Sequence, residues 1–446
     1  VVIPVYNTMP YLADLLDSLA GQDLDPALFE IVAVDDGSTD MSGEVLDAFA
    51  AAHSNIRVIH QENSGWPGKP RNVGIAASQA PYIFFCDADD LLGPEALRRM
   101  VDYALANDVD LLVPRMVGLG GRGVQSGLFR ETYLDVDLRK ILGTLSPQKM
   151  FRRSMLDRHG IRFPEGMVRL EDGLVLARCY LVSERTSLLA DYDYYYLRTR
   201  DDGANISSQR TSPESYTRSV SEIARILTEG DPDGDRASLL ALDLYRRKCL
   251  RFYAPDRFRK INRRQARRWM SEHAKFAQRY ISPALEEQLS FPHRQRSALV
   301  RAGDLGGLRR LAAAEPFVQA KARAVRVSWE SDQISMEVAL DPAGELDRLE
   351  LVVRGRGSNK CSTQWFDPLR AEPGKYFANL DSVSLAGFGP VIVDFYARAT
   401  KDGFTGAEHR IAVDTNLPLP SPAGDLRTYA TVNGKLSVDM RTKQPS

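Results

Sequence analysis

Three carboxylates among four residues, Asp87, Asp89 and Asp90, follow the apolar run Tyr82-Ile83-Phe84-Phe85-Cys86. Crowding of this kind at the end of a buried strand is costly, because like charges repel and desolvation strengthens the repulsion. A divalent cation removes the cost. Mg²⁺ or Mn²⁺ takes hard oxygen ligands, typically one or two carboxylates completed by substrate phosphates. Side chains alternate along an extended segment, so Asp87 and Asp89 share one side and form a candidate metal pair. In isolation, Asp89 or Asp90 would as readily cap the next helix or sit in a turn.

Three other stretches carry groups suited to chemistry. In "VDDGSTD" (Val34–Asp40), Asp36 can accept a hydrogen bond from a base N–H and Gly37 lets the chain turn sharply, while Ser38, Thr39 or Asp40 equally suits a helix cap. In "ENSGWPGKPRNVGI" (Glu62–Ile75), Arg71 offers a forked donor for phosphate or a carbonyl edge. Trp66 in the same loop either stacks on a sugar or packs inward. In "LEDG" (Leu170–Gly173), Glu171 and Asp172 are the types needed for a general base with an electrostatic neighbour. The bland alternative is that Asp172 caps a helix whose dipole lowers its pKa, leaving it ionised at neutral pH but a weak base.

The elements around these groups follow from hydrophobic period. "VVIPVY", "FEIVAVDD", "IRVIHQEN", "YIFFC" and "VDLLVP" read as strands. Between them lie a helix with Leu12, Leu15, Leu16 and Leu19 on one face, one with Val45, Leu46 and Phe49, a short one near Asn72–Ser78, and one over 94–107. Strands alternating with helices imply βαβ crossovers and a mostly parallel sheet, in which ligands bind at the carboxyl ends of the strands. Four polar clusters sit at those ends: Tyr6-Asn7, Asp35 to Ser38, Glu62-Asn63 and Asp87 to Asp90.

Farther along, residues 116–210 are less regular, and "DYDYYYLRTRDDGANIS" reads as a strand and a turn. A mainly helical stretch includes Arg246–Arg268, with eleven Lys/Arg against one Asp. That run is a solvated face, or an attractor of an anionic polymer or anionic lipid surface. No aromatic motif supports nucleic acid. From Val318 the period changes to two, and Asn433-Gly434 signals a two-residue hairpin. About seven short strands there suggest an antiparallel sandwich of immunoglobulin-like type. The expected domains are 1–212, 213–317 and 318–446.

Across 446 residues, 43% hydrophobic and 26% charged content fit globular domains, and a net charge of -1 confines any taste for polyanions to local patches. Four scattered cysteines with no CxxC argue against a zinc or disulfide scaffold and fit a reducing compartment. No apolar stretch suits a membrane span or a signal peptide, and the chain opens on "VVIPVYN" without Met, so residues have been trimmed or the fragment starts mid-protein.

In this order, "VVIPVYN", "VDDGSTD", "NSGWPGKPRNVGI", "FFCDADD" and "EDG" resemble the family 2 glycosyltransferases of GT-A fold over roughly residues 1–210. More narrowly, "NSGWPGKPRN", "KMFRRSMLD" and "DYDYYY" resemble the poly(ribitol-phosphate) N-acetylglucosaminyltransferases of wall teichoic acid. The resemblance implies a nucleotide pocket of Pro4, Asp36, Asn63, Arg71, Asp87 and Asp89, a metal motif of Asp87 and Asp89 holding Mn²⁺ or Mg²⁺, and Asp172 as catalytic base beside Glu171. Acceptor contacts fall to Trp66, Arg200 and Asn205, the last standing where many relatives have His. It further implies a UDP-sugar donor, most simply UDP-N-acetylglucosamine, an anionic polyol-phosphate polymer as acceptor, inversion at the anomeric carbon, and trimer formation through the C-terminal domain. The place of action would be the cytoplasm, with peripheral attachment at the inner face of the membrane. Two competing readings are a capsule or exopolysaccharide transferase with a neutral glycan acceptor, and a non-catalytic polymer-binding module.

Overall fold

The computed structural model describes residues 1–203, 211–330, 333–368, 374–414, 416–420 and 426–441. The chain packs as two compact units, Val1–Cys249 with Lys275–Leu285, and Leu250–Ala274 with Glu286–Ser446. The division falls inside the helical stretch expected as a separate 213–317 domain, not at its ends.

The first unit opens with β1 (Val2–Val5) and α1 (Tyr11–Ala20). Leu12, Leu15, Leu16 and Leu19 of α1 are all buried, each burial stabilising by about 1.5–3 kcal/mol. Next come β2 (Ile31–Asp35), α2 (Ser42–Ala52), β3 (Ile56–His60) and α3 (Gly68–Ala77). Helix α3 starts four residues before the expected Asn72. Its first turn holds Pro70 and follows Pro67, and proline is tolerated there because the first N–H groups of a helix have no intrahelical partner. Gly74 lets α3 lie flush on the sheet: a Cβ there would stand 2.3 Å from Val2 Cγ1.

The chain continues through β4 (Tyr82–Phe84), β5 (Leu91–Leu92), α4 (Ala96–Ala106), β6 (Leu111–Pro114), β7 (Met116–Leu119), α5 (Leu138–Ile141) and β8 (Met150–Arg152). After α6 (Arg153–Arg158) come α7 (Glu171–Val182), β9 (Thr186–Leu189) and β10 (Tyr195–Arg198). Strands β1, β2 and β3 pair in parallel. On the other side of β1, Cys86 N–H donates to the Val2 carbonyl at 3.0 Å, which joins β4 and then β8, β6 and β9. Only β8 runs against its neighbours in this layer, so the sheet is mostly parallel, as expected, with one reversed strand. A small second sheet, β5-β10-β7, was not legible, since β5 has only two residues. The parallel strands β1, β2 and β4 end on one edge, where Asn7, Asp36 and Asp87 follow them.

The second unit begins with an aromatic cluster in which Phe252 packs on Tyr253, Phe258, Trp269 and His273. His273 Nδ1 meets the Tyr253 hydroxyl at 2.9 Å, and burial, assisted by Arg257, lowers its pKa to about 3, so it is neutral. Much of the basic run, including Arg251, Arg259, Lys260, Arg263, Arg264 and Arg267, is exposed. A buried Arg296–Glu315 pair at 2.6 Å joins helices His293–Arg301 and Leu305–Val318.

Beyond Val318 the unit is built mostly of sheets. One has the order Asp367–Pro368, Lys375–Asp381, Gln333–Asp341, Lys321–Glu330, Ala412–Val413; the other centres on Arg348–Gly355 and Ile392–Lys401. Both contribute to one core, with Val338 and Leu340 from the first and Leu351, Val353 and Phe395 from the second. The pairing of Lys321–Glu330 with Ala412–Val413 is parallel, a departure from the all-antiparallel expectation. The hairpin is also looser than expected: Ala430 pairs with Leu436, leaving a five-residue connection around Gly434 at φ 63°. No helix among the described residues is long and apolar enough to cross a membrane.

Candidate active site

Arg71, in the first turn of α3, is 3% exposed. Its guanidinium joins two of the motifs singled out in the sequence. Nη1 donates to Asp172 Oδ1 at 2.7 Å, and Nη2 donates to Asp87 Oδ1 at 3.0 Å. Glu171 Oε1 lies 3.6 Å from Nη1, and the guanidinium sits over the Phe163 ring, 5.2 Å from its centroid. The planar fork lets one cation span carboxylates from two chain segments. Burial alone would lower the Arg71 pKa, but Asp172, Asp87 and Glu171 together raise it.

The acid-rich strand end divides its labour. Asp87 uses both oxygens, Oδ1 on Arg71 and Oδ2 accepting from Gln148 Nε2 at 2.6 Å. Asp90 turns inward and accepts from the Tyr195 hydroxyl at 2.8 Å and from Arg198 N–H at 2.7 Å. Tyr195 O–H in turn accepts from the Asp87 N–H at 2.9 Å. Asp90 is therefore a fastening between β4 and β10, and burial pushes its carboxyl well above the ordinary range. Asp89 is pushed up to about 6 by burial first and by Asp87 second, with Arg200 opposing.

Glu171 and Asp172 open α7, after Leu170 at φ 58°. The helix-dipole expectation for Asp172 is corrected here. Its pKa is raised to about 7, because burial dominates and Glu171 and Asp87 add repulsion that Arg71 only partly offsets. A carboxyl near 7 is a better base at neutral pH than an unperturbed one. Its Oδ2 has no hydrogen-bond partner among the described residues. Glu171, 7% exposed, is raised by burial against the pull of Arg71.

The other expected residues fall nearby in less direct roles. Asp36 is buried and accepts from Ser64 N–H and Ser64 Oγ, the latter at 2.8 Å, and from Gln61 Nε2. Asn63 is exposed and turns its Oδ1 to the Gly65 N–H at 2.7 Å. Pro4 lies in β1 opposite Val34. Trp66 is corrected: at 6% exposure it is packed under Arg169, whose guanidinium lies 5.2 Å from the ring, so it presents no stacking face to an acceptor. Arg200 donates to the Asn7 carbonyl at 3.2 Å, pairs with Asp202 at 2.6 Å and acts on Asp89. Asn205 lies outside the described residues.

Residues 1–160 match the family model described as glycosyl transferase family 2, and residues 213–312 match the linker domain of the glycosyl transferase TarS. Residues 1–160 are thus a family 2 glycosyltransferase domain. It is 38% identical over 250 residues to a poly(ribitol-phosphate) beta-glucosyltransferase of Bacillus spizizenii, a match covering 55% of this chain and 39% of that protein. It is 37% identical over 234 residues to the poly(ribitol-phosphate) beta-N-acetylglucosaminyltransferase TarS of Staphylococcus aureus, covering 52% of this chain and 40% of that one. These matches thus span about two fifths of the curated relatives' length. Among solved structures, S. aureus TarS 1-349 in complex with UDP-GlcNAc superposes with TM-score 0.64 at 29% identity, covering 75% of this chain and 95% of that one. A longer TarS structure shares the fold over 99% of this chain and 85% of that one, with TM-score 0.69 at 23% identity.

The oxygen ligands at this strand end bear on the expected metal. Among the described residues, no three or more His, Cys, Asp or Glu are grouped to hold an ion. At Asp87 a cation would have to share the carboxylate with Arg71 and Gln148, which donate to one oxygen each. A cation that takes most of its oxygens from a bound diphosphate needs from this strand end only a single carboxylate, such as that of Asp89.

Sequence reasoning missed three groups at this site. Gln148 holds Asp87. Lys149 is fully buried, donates to Thr144 Oγ1 at 3.0 Å and feels Asp172, with burial lowering its pKa to about 7. Tyr195 bridges Cys86, Asp87 and Asp90. Lys149 and Tyr195 stood in "KMFRRSMLD" and "DYDYYY", but nothing in their spacing marked them as facing the strand end. Gly68 is a further requirement, since a Cβ there would lie 2.0 Å from the Pro164 carbonyl oxygen. Gly68→Ala is therefore expected to push away the segment leading to Asp172, lowering transfer about 10²-fold with a smaller fall in Tm; wild-type turnover in this variant would show that the segment is free to shift.

Proposed function

We propose that this chain is an inverting glycosyltransferase that moves a hexose from a UDP-sugar to a hydroxyl of an anionic poly(ribitol-phosphate)-type polymer. The observation carrying this reading is the convergence of Asp87, Glu171 and Asp172 on the buried Arg71. It places a carboxylate with pKa about 7 next to the strand end where the family's donor motif lies. The relatives' names support the acceptor class. They split between glucosyl and N-acetylglucosaminyl transfer at nearly equal identity, so both UDP-glucose and UDP-N-acetylglucosamine are candidate donors.

In this mechanism Asp172 Oδ2 takes the proton of the acceptor hydroxyl as its oxygen attacks the anomeric carbon. The new C–O bond forms as the bond to the UDP oxygen breaks, and UDP leaves with the electron pair. A single displacement inverts configuration. Arg71 holds Asp172 Oδ1, which points the second oxygen at one place. Gln148 and Arg71 keep Asp87 fixed, and Asp89 with Arg200 forms the polar corner for the diphosphate. A divalent cation bound at Asp89 would supply Lewis-acid neutralisation of that leaving group.

The exposed basic run of the second unit is assigned to attraction of the polymer. Both donors with poly(ribitol-phosphate), in the presence of Mn²⁺, provide the test. Transfer is expected from one or both. Raising NaCl from about 0.05 to about 0.3 M should cut polymer glycosylation steeply while leaving slow donor hydrolysis nearly constant. Transfer to neutral glycans in preference to the polymer would overturn the acceptor, and equal salt sensitivity of both reactions would remove the role of the basic run. The site of action on this reading is the cytoplasmic side, where UDP-sugars are made.

A further inference from the structure

Asn72 follows Arg71 in α3 and grips the segment that leads to the general base. Its Nδ2 donates to the Phe163 carbonyl at 2.9 Å, and the Phe163 N–H donates back to its Oδ1 at 2.9 Å. Nδ2 also donates to Glu165 Oε1 at 2.9 Å. A carboxamide presents donor and acceptor side by side, so Asn72 gives Phe163 the paired bonds that a neighbouring strand would give.

The rest of the same helix start contributes further ties. Gly68 lies against Pro164, Arg71 lies over Phe163, and Arg169 lies over Trp66. The tip of the segment stands clear, with Met167 76% exposed. After the tip, Leu170 adopts φ 58°, a conformation uncommon for a side chain of its size, which persists only where the surroundings impose it.

We propose that Asn72 is a positioning residue for sugar transfer. Through Phe163 and Glu165 it sets the register of residues 163–170, and thereby the place of the Asp172 carboxylate against the bound donor. This inference rests on the reading of Asp172 as the base. Asn72 acts through the segment and not on the donor, so its loss belongs in kcat and not in KM. Aspartate cannot replace it: the Phe163 carbonyl would lose its donor, and a new carboxylate would face Glu165.

The test compares wild type, Asn72→Asp, Asn72→Ser and the double variant Asn72→Asp/Glu165→Gln. For Asn72→Asp, kcat is expected to fall about 10- to 100-fold, with the KM and calorimetric Kd for the UDP-sugar within about twofold. Glu165→Gln in that background is expected to recover about tenfold by supplying a donor and removing the repulsion. Asn72→Ser gives the same split between kcat and KM should the Asp variant fail to fold. A kcat within about threefold of wild type, a loss carried in KM, or no recovery by Glu165→Gln would overturn the proposal. Amide exchange at Phe163 reads the clamp without chemistry: in Asn72→Ser, which takes away the amide oxygen that the Phe163 N–H donates to, it is expected to speed up at least about tenfold, whereas the Asp variants keep an acceptor there. If wild type transfers no sugar, the reading of the base fails while exchange still reports on the clamp. Unchanged exchange at Phe163 in Asn72→Ser defeats the clamp itself.

Discussion

Asp172→Asn is expected to lower sugar transfer about 10²–10⁴-fold while UDP-sugar binding changes less than about twofold. The amide keeps the shape and can still accept from Arg71, but it cannot take a proton from the acceptor. A second measurement separates this from a folding defect. The carboxyl titrates near its ordinary 3.8 when unfolded and at about 7 when folded. Its contribution to stability is therefore fully present below the unfolded value and is lost as pH rises through about 7, because the folded state binds the extra proton. Asparagine removes that loss. At pH near 8 the variant should melt no lower than wild type, so a transfer defect accompanied by a fallen Tm would point to a structural role.

The same shift predicts the shape of the pH profile. For the free enzyme, kcat/KM should rise with pH along a limb centred near 7, since only ionised Asp172 can act as base. Glu171 is one cause of the raised value, so Glu171→Gln should move the limb to lower pH while reducing the rate less than Asp172→Asn does. A profile flat through the neutral range would assign the proton transfer to another group.

Period and punctuation made the parallel layer legible: β1, β2, β3 and β4 each end in a polar cluster, and the apolar spacing of α1 and α2 placed those helices. What stayed hidden depends on contacts between residues far apart in the chain. The opening acid cluster is an example. Asp87, Asp89 and Asp90 look equivalent in sequence, yet one faces Arg71 and Gln148, one feels Arg200, and one is fastened to Tyr195 and Arg198. Tyr195 lies over a hundred positions downstream, and no local pattern announces it. The direction of the Asp172 shift was misread for a similar reason. The helix start was visible at α7, but burial and the approach of Glu171 and Asp87 outweigh the dipole. Trp66 was open to two readings because a Gly/Pro-rich loop does not reveal which side chain folds under it.

Arg71→Met should be the most damaging single change to the fold of the first unit. Met matches the length of the stem but leaves Asp87, Glu171 and Asp172 facing one another without their shared counter-charge. Removing one partner of a buried ion pair typically costs about 3–5 kcal/mol, a large share of the net stability of a domain. The deficit should depend on pH in a particular sense. At pH near 8 Asp172 is ionised and repels its neighbours, whereas near pH 5 Asp172, raised to about 7 by burial, holds its proton and needs the cation less. Urea unfolding of Arg71→Met should therefore show a larger loss at the higher pH. Arg71→Lys tests geometry apart from charge: a point cation can satisfy Asp172 or Asp87 but not both in the plane of the fork, so stability should largely return while transfer stays depressed. A methionine variant equally destabilised at both pH values would mean that the stem and its stacking on Phe163, and not the charge, hold this corner together.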